Sequence, residues 1–202
     1  MNRLKELGLG IMLSSHPTSK PSRVYGEVPC ALDNGAFACY KRGYPFMEKV
    51  FYDTLETAYK NSIQLDFVVC PDIVAGGVRS LELSVKHAET KLLGTKNLAL
   101  VLQDGMEPKD LTPNITKYFS YLFIGGTKEW KWRTAKMWVD TARNMNKKIH
   151  IGQCGRLEYL KYAKALKVDS VDSTSFTRNS SFHIIEEYIN GAQAQLFDLG
   201  VS

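Results

Sequence analysis

Asp33, Asp72, Gln103, Gly125, Gly126 and Asp172 each fall at or just past the end of a short apolar run, in CALDNGAF, DFVVCPD, LALVLQDG, YLFIGGT and SVDSTSFTRN. Together these residue types suit one chemistry. A carboxylate can attack a sugar C1′ through an oxocarbenium-like transition state and form a covalent glycosyl intermediate. A second carboxylate can move the proton of the departing or arriving base. An amide offers both a donor and an acceptor to a purine edge, and backbone N–H groups freed by glycine bind a carbonyl oxygen. Plainer roles fit the same residues: a turn or helix cap for Asp33, a cap for the helix starting near Gly76 for Asp72, and a turn for the glycine pair. A cap explains Asp172 but not the Ser173, Thr174, Ser175, Thr177 and Arg178 crowded behind it.

Strands must hold these residues at one edge, and the pattern supplies them. Continuous apolar runs predict strands at Gly8–Leu13, Pro29–Leu32, Asp66–Cys70, Leu98–Leu102, Tyr121–Ile124, Lys148–Ile151 and Ser170–Val171, as for parallel strands covered on both faces. Helical spacing predicts helices over Phe46–Lys60, Gly77–Leu93, Trp130–Met145, Arg156–Lys167 and Phe182–Ala192. Strict alternation of strand and helix means βαβ units and a parallel sheet. No G-x-G-x-x-G or Walker-type loop follows a strand. Polar residues after at least five strands favour a closed barrel, in which all strand ends share one mouth. The expected fold is α/β, a compact TIM-like (β/α)8 barrel in one domain over residues 1–202, with one unit reduced or irregular. The weakest stretch is Ser14–Glu27, whose Ser and Pro content reads as a mobile loop.

The composition is that of a soluble globular chain: 44% hydrophobic and 23% charged over 202 residues. No apolar run approaches the ~20 residues that cross a bilayer. The basic start MNRLKELGLGIMLSSHP is too short and broken for a signal peptide and reads as a first strand. A cytoplasmic location is expected, and no membrane partner. Cys30, Cys39, Cys70 and Cys154 show no metal spacing against the four dispersed histidines, so buried thiols and no metal are expected. A formal charge of +5 and a pI near 8.9 are compatible with a polyanionic partner. Between Lys128 and Lys148 the cations Lys128, Lys131, Arg133, Lys136, Arg143, Lys147 and Lys148 surround Trp130, Trp132 and Trp138. They fit the wet face of an amphipathic helix, with Ala135, Trp138, Val139 and Ala142 on its apolar face, or a phosphate-contacting surface.

From about Leu32 to Asn179 the motifs LDNGAF, DFVVCPD, LVLQDG, FIGGT, HIGQCG and VDSTSFTRN, in that order, resemble the tRNA-guanine transglycosylases. The resemblance is closer to their shortened relatives, the DpdA-type deazapurine DNA-modification transglycosylases of phages and some bacterial gene clusters. It implies a (β/α)8 barrel that replaces guanine in a polynucleotide with a 7-deazaguanine such as preQ0, without ATP or another cofactor. On this resemblance Asp172, ahead of the Thr177-Arg178 pair, matches the nucleophile. Asp33 matches the acid that positions the base and transfers protons. Asp72, Gln103 and Gly126 match the base-holding positions, with Gly125, Phe37 and Arg178 completing the substrate-binding set.

Departures are visible. Asn34 and Ala36 stand where the D-S-G-G-F motif has Ser and Gly, and Asp104 intervenes between Gln103 and its glycine. The Cys/His zinc site of bacterial tRNA enzymes has no counterpart after Asp172, nor do the archaeal RNA-binding domains. DNA is therefore the expected polymer, held by the basic Lys128–Lys148 region and the Ser14–Arg23 loop; tRNA is the alternative. A partner protein or homodimer could complete the surface. A phage source would place the protein in host cytoplasm. Two other functions stay open: a glycosyltransferase or hydrolase on free nucleosides, and a non-catalytic barrel that binds a purine or nucleic acid.

Overall fold

A computed structural model describes residues 2–17, 23–178 and 182–189. The chain folds as two compact units, one ending at Ile149 and the other beginning at His150, so the boundary falls inside a strand.

The first unit starts with a short helix α1 (Asn2–Glu6), then β1 (Ile11–Ser14), a 3-10 turn (Arg23–Glu27), β2 (Cys30–Asp33), α2 (Ala36–Lys41) and α3 (Glu48–Lys60). It continues through β3 (Leu65–Val69), α4 (Val78–Glu89), β4 (Leu98–Leu102), a 3-10 turn (Pro108–Asp110), α5 (Pro113–Thr116), β5 (Tyr121–Ile124) and α6 (Lys128–Asn144) to the start of β6 (Lys148–Ile151). The second unit holds the end of β6, α7 (Leu157–Ala165), the two-residue β7 (Ser170–Val171), α8 (Ser175–Arg178) and a helix α9 over 182–189.

The seven strands of the described residues follow one another in chain order in one sheet. β1 to β5 pair in parallel, and β6 pairs with β7 in parallel. The α/β class and parallel sheet expected from the alternation are present. β1 and β7 are the two ends of the strand order, so among the described residues the sheet has no eighth strand and is not closed.

Register explains why the runs are continuous rather than alternating. Ala31 pairs with Phe67, Val69 with Ala99 and Ala99 with Tyr121, so these residues share one face of the sheet. There they form a buried cluster with Val101, against which Met12 and Phe123 pack. The Phe67 and Tyr121 rings lie 4.8 Å apart at a tilt of 37°. The alternate residues Leu32, Val68, Leu98, Leu100, Leu102, Leu122 and Ile124 are buried on the opposite face, where α4 covers β4 and α6 covers β5. Each such side chain contributes roughly 1.5–3 kcal/mol.

Several local departures have simple causes. The N-terminal stretch opens as a helix, because NRLKE is rich in helix formers, and Gly8 ends it at φ 64°. Within Ser14–Glu27, Arg23–Glu27 is a 3-10 turn and residues 18–22 lie outside those described. Helix α2, unexpected from sequence, spans too few residues to print a periodicity. The expected last helix is described over 182–189, with Ile185 buried; residues 190–192 lie outside. Helix α6 buries Trp130, Ala135, Trp138, Val139 and Ala142 as its spacing requires. It also buries Lys131, one of the cations expected on the wet face, at 3% exposure.

Candidate functional site

In the first unit the strand ends gather polar side chains into a buried clamp. Asn34 Nδ2 donates to Asp72 Oδ1 at 2.7 Å and to the Cys70 carbonyl at 2.7 Å. Gln103 Nε2 donates to Asp72 Oδ2 at 2.6 Å. Both amide orientations are set independently, since Asn34 Oδ1 accepts from the Ala36 N–H (2.8 Å) and Gln103 Oε1 from the Ala75 N–H (3.1 Å). Asp72 thus accepts through both oxygens and ties the ends of β2, β3 and β4 together. It is 6% exposed. Burial pushes its carboxyl above the ordinary range, against the two amide donors, which pull it down. The cap alternative for Asp72 fails: α4 begins after Gly77, with no side-chain cap.

Asp33 lies beside the clamp and is partly exposed. Its Oδ2 accepts the Gly35 N–H at 3.3 Å and its carbonyl accepts the Ser15 hydroxyl at 2.6 Å. This is the turn geometry its sequence also suggested, and Gly35 needs its freedom: φ is 81°, and a Cβ there would sit 2.6 Å from the Ser15 carbonyl oxygen. Phe37 projects from α2, 46% exposed.

The glycine pair follows β5. The Gly125 N–H is committed to the Leu102 carbonyl at 3.1 Å, which removes it as a ligand donor in this conformation. Gly126 adopts φ 68°, and a Cβ would meet Asp104 Oδ2 at 2.6 Å and the Trp130 ring at 2.7 Å. Asp104 in turn accepts from the Thr127 N–H (2.7 Å) and hydroxyl (2.6 Å) at the start of α6. Asp104 is therefore an anchor for α6.

In the second unit Asp172 follows β7, and its surroundings differ from those of Asp72. Oδ1 accepts the Gln153 N–H at 2.8 Å, and Oδ2 lies 3.3 Å from His150 Nε2. His150 Nδ1 lies 2.8 Å from the Ser170 hydroxyl. The imidazole is buried (3% of its side chain exposed), whereas the Asp172 carboxylate keeps 26%. The backbone is locked as well, with Cys154 N–H donating to the Asp172 carbonyl at 2.7 Å. Gln153, the donor to Oδ1, holds a left-handed φ of 64° without being glycine, a conformation that costs roughly 1–3 kcal/mol and that clusters at functional sites. Ser173 and Ser175 hydroxyls are 2.6 Å apart behind Asp172. Arg178 ends α8, and its side chain lies outside the described residues.

The structure thus brings Asp33, Asp72 and Gln103 to neighbouring strand ends in the first unit, with Gly125 and Gly126 after the next strand, and sets Asp172 in a polar cluster of the second. A small cavity of about 190 Å³ is lined by Ser15, His16, Cys39, Arg42 and Tyr44 among others, and by none of the sequence-derived candidates. Asn34, Asp104, His150, Ser170 and Gln153 were not singled out as site residues by sequence. The available signal was a histidine inside the apolar run KIHI, and Ser170 and Asp172 two apart on one face of the next strand. Among the described residues no group of three His, Cys, Asp or Glu side chains is placed to hold a metal, and no helix is long and apolar enough to cross a membrane. All four cysteines are buried free thiols, and burial pushes Cys30 and Cys70 above the ordinary thiol range. Neither a family model nor a curated protein sequence matches the chain.

Proposed function

We propose that the protein is a transglycosylase of the tRNA-guanine transglycosylase type that exchanges a guanine in DNA for a 7-deazaguanine. The observation that carries this reading is the Asp172 carboxylate: partly open to solvent, and oriented by a backbone N–H on one oxygen and a buried imidazole on the other. A nucleophilic carboxylate needs both access and orientation. Asp72, buried with amide donors on both oxygens, lacks the access. The motif order Leu32–Asn179 and the strand order β1 to β7 also support the reading, as a reduced relative of the (β/α)8 barrel.

In the first step an Asp172 oxygen forms a bond to C1′ as the C1′–N9 bond breaks; guanine leaves with that electron pair and takes a proton from Asp33. In the second, N9 of the incoming deazaguanine attacks C1′, the ester C–O bond breaks, its pair returns to Asp172, and Asp33 recovers the N9 proton. The target nucleotide must leave the base stack to expose C1′. Asp72, Gln103 and the glycine pair shape the base site, the two former by holding strand ends in place.

The test is incubation of the protein with guanine-containing DNA and labelled preQ0, followed by digestion to nucleosides. Label is expected in DNA with wild type and not with Asp172→Asn. A folded wild type that incorporates none, or an Asp172→Asn variant that incorporates as well, ends the proposal.

A further inference from the structure

We propose that His150 is a positioning residue for Asp172, aiming its carboxylate at C1′ and stabilising the charge that returns to it when the glycosyl ester breaks; this rests on the base-exchange reading. A carboxylate can only accept, so the hydrogen bond at 3.3 Å requires the proton on His150 Nε2. The other nitrogen then accepts from the Ser170 hydroxyl at 2.8 Å. On a neutral ring the Asp172 carboxylate fixes the Nε2–H tautomer, and the Ser170 hydroxyl, able to donate or accept, completes it at Nδ1. Register makes the set: His150 pairs with Ser170 and Ile151 with Val171, so His150 faces Ser170, and Asp172 lies one strand period further on. With Gln153 N–H on Oδ1, the two carboxylate oxygens have separate donors, a side chain of β6 and a backbone N–H of the turn after it, which fixes the plane of the group.

The consequence for the reaction is specific. Once the first bond to C1′ has formed, one Asp172 oxygen is the ester oxygen and the other its carbonyl. When the C1′–O bond breaks, negative charge reappears on the pair of oxygens that Gln153 N–H and His150 Nε2–H face. Loss of the imidazole donor leaves the carboxylate less well aimed and a poorer leaving group, without touching contacts to the polymer.

Glutamine and asparagine separate this role from simple packing. The amide nitrogen of Gln reaches roughly where Nε2 lies, and that of Asn roughly where Nδ1 lies. With guanine-containing DNA and labelled preQ0, His150→Asn should lower kcat on the order of 10²-fold with KM for DNA unchanged, while His150→Gln should stay within roughly tenfold of wild type. Ser170→Ala keeps the imidazole but removes its partner at Nδ1, freeing the ring to turn, and should lower kcat roughly tenfold, again at constant KM; it decides the matter if the His150 variants fail to fold by thermal melt. Equal activity in the Asn and Gln variants, or a Ser170→Ala variant with wild-type kcat, overturns the role while leaving base exchange standing. A folded wild type that neither incorporates label nor forms a protein–DNA adduct overturns base exchange and this role together.

Discussion

At Asp72, burial and two amide donors pull the proton in opposite directions, and burial is the larger effect. A carboxyl raised in the folded state stabilises the fold below the unfolded value of about 3.9 and loses that contribution as pH rises through the folded value. Wild type should therefore lose stability relative to Asp72→Asn as pH rises above about 4, measured from their urea midpoints at matched pH; a wild-type midpoint that gains on that of Asp72→Asn as pH rises contradicts the assignment. Asp72→Ala should cost about 3 kcal/mol at low pH, since it strands the Asn34 and Gln103 donors in the interior, and less as pH rises. The types and positions of Asp33, Asp72, Gln103 and Asp172 were legible in the sequence because each interrupts an apolar run. Their partners were not. The clamp joins residues 34, 72 and 103, and the imidazole contact joins 150 to 172; both depend on strand register, which no local stretch encodes.

Strands and long helices were legible for the converse reason, that their burial pattern is local. β4 through β7 keep the bounds their apolar runs imply, and α3, α4, α6 and α7 differ from expectation by a few residues at their ends. The short helices α1, α2 and α5 were not, since they span too little chain to display a 3.6-residue repeat. The join between β5 and α6 is tightly constrained. Gly126 holds a left-handed φ with Asp104 and Trp130 against it. Gly126→Ala should destabilise the protein by about 2–3 kcal/mol, from backbone strain and overpacking together. Denaturant unfolding of the two proteins checks this, and equal midpoints would mean that the turn adapts freely.

For the whole molecule, the net charge of +5 matters through where the cations stand. On α6, Lys128, Arg133, Lys136 and Arg143 are exposed while Lys131 is buried, and Lys136 is paired with Asp140 at 2.6 Å. If these exposed groups meet a polyanion, log K for a DNA duplex should fall linearly with log salt, with a slope near −0.9 per phosphate neutralised. Arg133→Glu with Arg143→Glu should flatten that slope by about 2. A salt-independent affinity would instead favour a mononucleoside substrate.

The closed position of three cysteines has a practical corollary. Reagents that alkylate sulfur find little to attack at Cys30, Cys70 and Cys154 in the resting protein, because these are at most 1% exposed and the thiols of Cys30 and Cys70 are held in their protonated form, whereas Cys39 borders the small cavity. Modification of those three must wait for the polypeptide to breathe. Cys30 and Cys70 belong to one compact unit and Cys154 to the other, so the chain carries its own clock for how often each half comes open.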